Sequence, residues 1–176
     1  DAFLSRVQTV EYHEETKVGD SLSFMLGNTG HILGSSSIRI KDLTDGTTFA
    51  ITSDLGATPA ELLPDAEPIT DADVVLIESV YGDRENPEQK QRVPLLLEVL
   101  KKAIERGGAV LVPAFSMERT QLMLYEIANF YEQGLLPKVP VFLDSPLAIK
   151  VTSVYKNYAR KKKKKDIQEE LHKDGD

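Results

Sequence analysis

The chain contains no cysteine and no tryptophan, and only 3 of its 176 residues are histidine. The absence of cysteine excludes a disulfide framework and any metal site built on thiolates, so a metal ion would depend on histidine, aspartate and glutamate. The sequence also lacks the run of about 20 apolar residues that a membrane-spanning helix needs. Residues 1–10 lack the basic start and apolar core of a signal peptide. We therefore expect a cytoplasmic protein with no membrane partner.

Charge is distributed unevenly along the chain, although the net charge is only −7. Residues 1–83 carry 4 basic and 15 acidic side chains, a net charge of −11. Residues 84–176 carry 17 basic and 13 acidic side chains, a net charge of +4, and include consecutive lysines at 161–165. An acidic half can hold divalent cations, and a basic half can meet phosphates. Solubilising surface charge is the alternative, and a lysine run is more typical of a solvated face or a disordered tail.

The first half of the sequence has the pattern of a β-rich lobe. Apolar residues that alternate or run together predict strands at 21–26, 37–40, 47–52 and 73–78. The last of these is continuous, as in a buried parallel strand. Asp45-Gly46 is a strong signal for a hairpin turn between the second and third strands.

The second half alternates helical and strand patterns. Asn86-Pro87 is typical of a helix start, and Gly107-Gly108 is typical of its end, with Pro94 expected to kink or restart the helix. The further predicted elements are strands at 109–113 and 139–143 and helices at 118–131 and 146–158. Such alternation is typical of a parallel sheet with helical crossovers. We therefore predict an α/β fold that divides near residue 83.

Three residues with metal or acid–base chemistry follow predicted strands. His31 lies between glycines on a loop, where a neutral imidazole can bind a metal or simply form a hydrogen bond. Asp54 closes a strand, where a carboxylate can bridge two cations or cap the next turn. Glu78 ends the buried strand, at the side of a parallel sheet where sites are built; a loop or helix-capping acid is the alternative.

Two residues at predicted helix starts are candidates for binding a substrate anion. Ser145 directly precedes Pro146 and is a natural N-cap, which is the favoured structural explanation. The free amides of a helix N-terminus can also hold a phosphate. Arg119 lies at the entrance to the helix predicted at 118–131 and offers a cation to an anion. We predict Ser145 and Arg119 as substrate-binding residues.

The order of five motifs resembles the metallo-β-lactamase superfamily, and more closely its β-CASP nucleases, which include the RNase J-type enzymes and the eukaryotic mRNA 3′-end cleavage nuclease. The motifs are Gly-His-Ile-Leu-Gly-Ser, Ser-Asp-Leu-Gly, Glu-Ser-Val-Tyr-Gly, Pro-Ala-Phe-Ser-Met-Glu-Arg-Thr-Gln and Leu-Asp-Ser-Pro-Leu-Ala. The resemblance runs from about Tyr12 to Tyr158. It implies part of an αββα metallo-β-lactamase domain at 1–83 and part of an inserted β-CASP α/β lobe, with a parallel sheet, at 84–176.

The resemblance also implies roles for individual residues. His31 matches a ligand of one zinc ion, and Asp54 matches the aspartate that bridges two zinc ions. Glu78 matches the acidic residue that pairs with a later histidine during leaving-group protonation, and glutamate there favours the RNA-processing branch over the DNA-repair branch. The implied function is metal-dependent hydrolysis of phosphodiester bonds in single-stranded RNA. A homodimer of the full-length protein is left open.

Some of the family pattern is absent from residues 1–176. The His-x-His-x-Asp-His signature and two later histidines do not occur, and His13 and His172 match neither place. Ser53 stands where the family has glycine. Because there is also no initiator methionine, we interpret the chain as an internal fragment that is inactive alone. The alternative is a non-catalytic nucleic-acid-binding or scaffold paralogue. A small-molecule hydrolase is disfavoured, because compact members of the superfamily lack the inserted lobe.

Overall fold

The computed structural model describes residues 2–84 and 91–173, with side chains as far as Lys163. The chain divides into two compact units, Asp1–Glu85 and Asn86–Asp176. A sheet with parallel and antiparallel pairs, together with three helices, confirms the predicted α/β class. The helix start predicted at Asn86-Pro87 lies outside the described residues. None of the helices in the described ranges is both long and apolar enough to cross a membrane.

The first unit is a five-stranded sheet in which neighbours in space are also neighbours in sequence. A short 3-10 helix at Leu4–Arg6 precedes the strands. The first three strand pairs are antiparallel, and β4 and β5 are parallel. The strands are β1 (Thr16–Val18), β2 (Leu22–Asn28), β3 (Ser36–Asp42), β4 (Thr48–Ile51) and β5 (Val74–Leu76). All four predicted strands of this half are therefore confirmed. The expectation that the last one is buried is wrong, because β5 is an end strand of the described sheet, and Val74, Val75 and Leu76 are all exposed.

The turn between β3 and β4 forms where Asp45-Gly46 predicts it. Gly46 adopts φ +84°, a conformation that favours glycine, and its N–H donates to the Asp42 carbonyl at 2.9 Å. The Asp42 carboxylate accepts hydrogen bonds from the hydroxyl and the backbone N–H of Thr44. These bonds favour the charged carboxylate and lower the pKa of Asp42. Local hydrogen bonds thus help to fix the turn, and the Leu43 N–H adds a bond to the Ser21 carbonyl at 2.8 Å.

The strand directions bring three loops to one edge of the sheet. β2 and β4 are both antiparallel to β3 and therefore run in the same direction, and β5 runs parallel to β4. The chain consequently leaves the sheet at the same edge after Asn28, after Ile51 and after Leu76. This edge carries the loops that contain His31, Asp54 and Glu78, and we call it the ligand edge.

The second unit is built from α1 (Arg92–Glu105), α2 (Arg119–Glu132) and α3 (Pro146–Lys173). Its core contains the buried side chains of Leu100, Phe130 and Leu136, against which further apolar residues of α1 and α2 pack. Pro94 is the third residue of α1. The helix therefore continues past it, because the first turn has no use for the N–H that proline lacks.

Two predicted strands of this unit do not form in the described part of the chain. Residues 109–113 and 139–143 have no strand pairing, so the only parallel pair described is β4–β5 in the first unit. Apolar side chains in these segments are exposed, with Leu111 93% and Phe142 88% accessible. A strand needs a neighbour to satisfy its backbone groups. The strand predictions for 109–113 and 139–143 are therefore wrong for the described part of the chain, where no partner strand lies beside these segments.

The third helix is longer than its predicted range of 146–158. α3 runs through the lysine run, so this segment is helical rather than a disordered tail. Lysine, glutamine and glutamate are good helix formers, which explains the extension. The side chains of Lys161, Lys162 and Lys163 are exposed, as expected of a solvated face.

Candidate metal centre

The structure brings His31 and Asp54 together at the ligand edge. His31 Nε2 lies 3.6 Å from Asp54 Oδ2, and the two side chains are 39% and 72% exposed. His31 lies on the loop between β2 and β3, and Asp54 lies just after β4. One nitrogen and one oxygen donor thus point at the same space and remain open to solvent. This is the juxtaposition that a metal ion needs from its protein ligands.

Close backbone packing sets the separation of these two loops. The Gly56 N–H donates to the Thr29 carbonyl at 2.8 Å, and the hydroxyls of Thr29 and Ser53 are 3.2 Å apart. A Cβ atom on Gly56 would overlap the Gly30 carbonyl and lie 2.8 Å from the His31 nitrogen. Only glycine therefore allows the Asp54 loop to lie directly on the His31 loop.

We expect Gly56→Ala to separate these loops. The added methyl group must displace backbone, which should lower the free energy of unfolding by about 1–3 kcal/mol. It should also weaken zinc binding, because the Asp54 loop moves away from the His31 loop. Gly108→Ala is the matched control, since the nearest atom to its added Cβ is 4.0 Å away. Thermal unfolding and zinc titration of both variants check this, and equal melting temperatures for both would contradict it.

Glu78 is fixed beside the Asp54 loop by hydrogen bonds to the backbone. Its Oε2 accepts from the Val80 N–H at 2.9 Å, and its Oε1 lies 3.5 Å from the Leu55 nitrogen. The Glu78 N–H donates to Thr52 Oγ1 at 3.1 Å. These bonds include the local contact expected of a loop acid. They also hold the carboxylate next to Leu55, the residue that follows Asp54. The catalytic role of Glu78 stays a prediction.

The donors fit neighbouring positions around one zinc ion but do not complete its ligand set. At zinc–ligand distances of 2.0–2.1 Å, adjacent ligands in a tetrahedral site are about 3.3 Å apart. The 3.6 Å between His31 Nε2 and Asp54 Oδ2 is close to that value. Among the described residues, no group of three or more histidine, aspartate or glutamate side chains is placed to hold a metal. The described site therefore offers about half of the usual three or four protein ligands.

The predicted substrate-binding residues lie in the second unit. Ser145 Oγ accepts the Ala148 N–H at 3.2 Å. The serine therefore caps the N-terminus of α3, which is the structural role favoured for it from the sequence. Arg119 is the first residue of α2 and lines a cavity of about 660 Å³. The other lining residues are mostly apolar and come from α1, α2 and residues 112–115. A cation at a helix N-terminus is disfavoured by the helix dipole, and an anion bound there would relieve this.

His13 is outside the ligand edge loops, as its sequence context predicts. It adopts φ +65°, and its Nε2 lies 3.3 Å from Glu67 Oε1. The side chain is 63% exposed. This residue is solvent-facing and pairs with the loop that precedes β5, whereas the side chain of His172 lies outside the described part.

Two residues that hold the His31 loop, Asn28 and Ser35, are not among the predicted site residues. Asn28 Oδ1 accepts the Gly30 N–H at 3.0 Å, and Ser35 Oγ accepts the N–H groups of His31 and Ile32 at 3.1 and 3.2 Å. The pattern Asn-x-Gly at 28–30 is a signal that was available, because asparagine often bonds to the backbone two residues further on. Ser35 carries no comparable sequence signal.

Comparison with known proteins finds relatives for most of the chain. Residues 120–174 match the Beta-Casp domain. The chain is 37% identical over 158 residues to a protein named Ribonuclease TTHA0252 from Thermus thermophilus, which covers 89% of this chain and 35% of the relative. It is 35% identical over 158 residues to an RNase J-like protein from Methanocaldococcus jannaschii, covering 88% of this chain and 37% of the relative.

A more distant relative comes from a eukaryote. The chain is 28% identical over 174 residues to Endoribonuclease YSH1 from Kluyveromyces lactis, which covers 93% of this chain and 22% of that protein. The chain therefore spans about a third or less of the length of these relatives. The domain match and the names of the relatives agree with the family that the motif order indicates. The chain belongs to the β-CASP nuclease branch of the metallo-β-lactamase superfamily.

Proposed function

We propose that the chain is part of a zinc-dependent ribonuclease that hydrolyses phosphodiester bonds in single-stranded RNA. The observation that carries this proposal is the convergence of His31 Nε2 and Asp54 Oδ2 at one sheet edge. The names of the relatives support the choice of RNA, since they are called ribonuclease, RNase J-like protein and endoribonuclease. In this proposal residues 1–83 belong to a metallo-β-lactamase domain, and residues 84–176 belong to its β-CASP insert.

The residues of the first unit have separate tasks in this reaction. His31 would hold one zinc ion, and Asp54 would bridge two. When bound, the ions would neutralise phosphate charge and activate the attacking water. Glu78, whose carboxylate is held by backbone N–H groups, would orient the histidine that protonates the leaving group.

The second unit would bind the RNA chain. Arg119 offers an exposed guanidinium at the start of α2, and Ser145 caps the start of α3. Contacts of this kind hold phosphates without reading the base sequence, which suits a groove for single-stranded RNA. The exposed lysines at 161–163 would add attraction for phosphate along α3. A cytoplasmic location and a homodimer of the full-length protein stay predictions.

A non-catalytic scaffold protein would differ from the proposed ribonuclease in one measurable respect, because it would bind RNA without cleaving it. The observation that favours it is the lack of a third metal-binding side chain in the described ranges. Full-length protein should cleave an end-labelled single-stranded RNA with zinc, and should lose cleavage after dialysis against a chelator and regain it when zinc is restored. RNA binding without cleavage under all three conditions would instead identify a scaffold.

A further inference from the structure

Three successive backbone N–H groups around His31 all donate to side-chain oxygens. Gly30 N–H donates to Asn28 Oδ1 at 3.0 Å, while the N–H groups of His31 and Ile32 donate to Ser35 Oγ at 3.1 and 3.2 Å. A loop has no strand partner for these groups, so they need another acceptor. Asn28 and Ser35 therefore hold the backbone on both sides of the imidazole.

Asn28 also holds a second segment of chain at the ligand edge. Its Nδ2 donates to the carbonyls of Pro64 and Asp65 at 3.2 and 3.0 Å, so the amide oxygen and the amide nitrogen are both engaged. Its backbone exchanges two further bonds with Glu67, from the Glu67 N–H to the Asn28 carbonyl and from the Asn28 N–H to Glu67 Oε2. The residue is only 8% exposed. It is thus a buried link between two loops.

The segment held by Asn28 packs directly on the residue before His31. A Cβ atom on Gly30 would lie 2.9 Å from the Ala66 nitrogen and 3.0 Å from the Pro64 carbonyl. Gly30 adopts φ +65°, and its own carbonyl lies against Gly56 of the Asp54 loop. Moving residues 64–66 would therefore move Gly30 and the attached His31 backbone. Asn28 is hydrogen-bonded to that segment, and none of its described hydrogen bonds reaches the His31 imidazole.

We propose that Asn28 and Ser35 are positioning residues that hold His31 in the geometry required for metal binding. The inference rests on the proposed function, since it assumes that His31 is a zinc ligand. Side chains that orient metal ligands typically change metal affinity or activity by about 10- to 100-fold when altered. A shift of about 1 Å at a reacting centre has a similar effect on rate. A purely structural role would affect stability but not the geometry of the bound metal.

Asn28→Asp separates the two functions of the Asn28 amide. The variant keeps an oxygen that accepts the Gly30 N–H, but it replaces both donors to Pro64 and Asp65 with a charged oxygen that faces their carbonyls. Ser35→Ala removes the acceptor for the N–H groups of His31 and Ile32. The matched controls are Gln8→Glu and Ser5→Ala, which change exposed residues that precede β1.

The test is cobalt binding by the full-length protein, because Co²⁺ reports its ligand geometry through its visible absorption. At equal concentrations of folded protein, Asn28→Asp and Ser35→Ala should alter the absorption bands and weaken Co²⁺ binding by about 10- to 100-fold. Their kcat for labelled RNA should fall while KM stays unchanged. Both control variants should match the wild type in all three measurements.

Two results would overturn the proposal in distinguishable ways. Lower melting temperatures with unchanged Co²⁺ bands and affinity would show that Asn28 and Ser35 serve the fold alone. If Asn28→Asp does not fold, Ser35→Ala decides the matter by the same criterion. A wild-type protein that binds no Co²⁺ would remove the proposed metal function itself, and with it the inference.

Discussion

Replacing Asp54 with alanine in the full-length protein is expected to reduce RNA cleavage by about a thousandfold or more. Loss of a single group that stabilises developing charge already costs about a hundred- to a thousandfold in rate. Asp54 would serve both zinc ions, so its removal disturbs both at once. The side chain is 72% exposed, and we therefore expect little change in stability. Cleavage of end-labelled RNA, measured under single-turnover conditions, checks the prediction.

A control aspartate separates loss of the ligand from loss of charge. Asp20 is exposed in the turn between β1 and β2, and Asp20→Ala should leave cleavage within about twofold of the wild type. RNA affinity should be retained by both variants, because the proposed phosphate contacts lie in the second unit. Equal cleavage by Asp54→Ala and wild-type protein would refute the metal role of Asp54.

The second large effect concerns zinc binding by the 176-residue chain alone. With His31 and Asp54 as its described ligands, the chain should bind zinc with a Kd weaker than about 10 µM, whereas the full-length protein should hold two ions at least a thousandfold more tightly. The reason is ligand number, since a zinc site usually takes about three or four protein ligands. Isothermal titration calorimetry on both proteins gives the comparison.

The result that contradicts this expectation is equally clear. Two tight zinc equivalents on the 176-residue chain would mean that its own residues complete the site. A His31→Ala variant of the same chain is the appropriate companion. It should abolish whatever weak binding the chain retains, and unchanged weak binding would place the zinc elsewhere.

Short-range signals predicted the first unit well. Asp45-Gly46 marks its turn within a few residues, and period-two patterns mark β2, β3 and β4. The second unit was predicted less well, because the apolar runs at 109–113 and 139–143 indicate strands only if a neighbouring strand is present. The apolar pattern shows that a segment favours the extended conformation. Whether the segment joins a sheet depends on partner residues that are distant in sequence.

The candidate site shows the same division between local and distant information. His31, Asp54 and Glu78 were found through the order of their motifs, and strand direction explains why the structure places them at one edge. The bonds from Asn28 to Pro64 and Asp65 join residues 36 and 37 positions apart. No local pattern encodes that contact. Asn-x-Gly at 28–30 indicates only the bond from the Gly30 N–H to Asn28, and the bonds to Pro64 and Asp65 are known from the structure.

The sequential order of the strands has a consequence for how the site is assembled over time. Each strand from β2 to β4 pairs with its predecessor through a short connection, and only the β4–β5 pair spans a long one. Local pairing forms faster than pairing across long loops, because less chain entropy is lost before contacts are gained. The β2–β3 loop should thus acquire its shape early, with His31 already presented. Asp54 and then Glu78 join it later. The order in which the strands pair therefore sets the order in which the residues of the ligand edge come into place to bind metal.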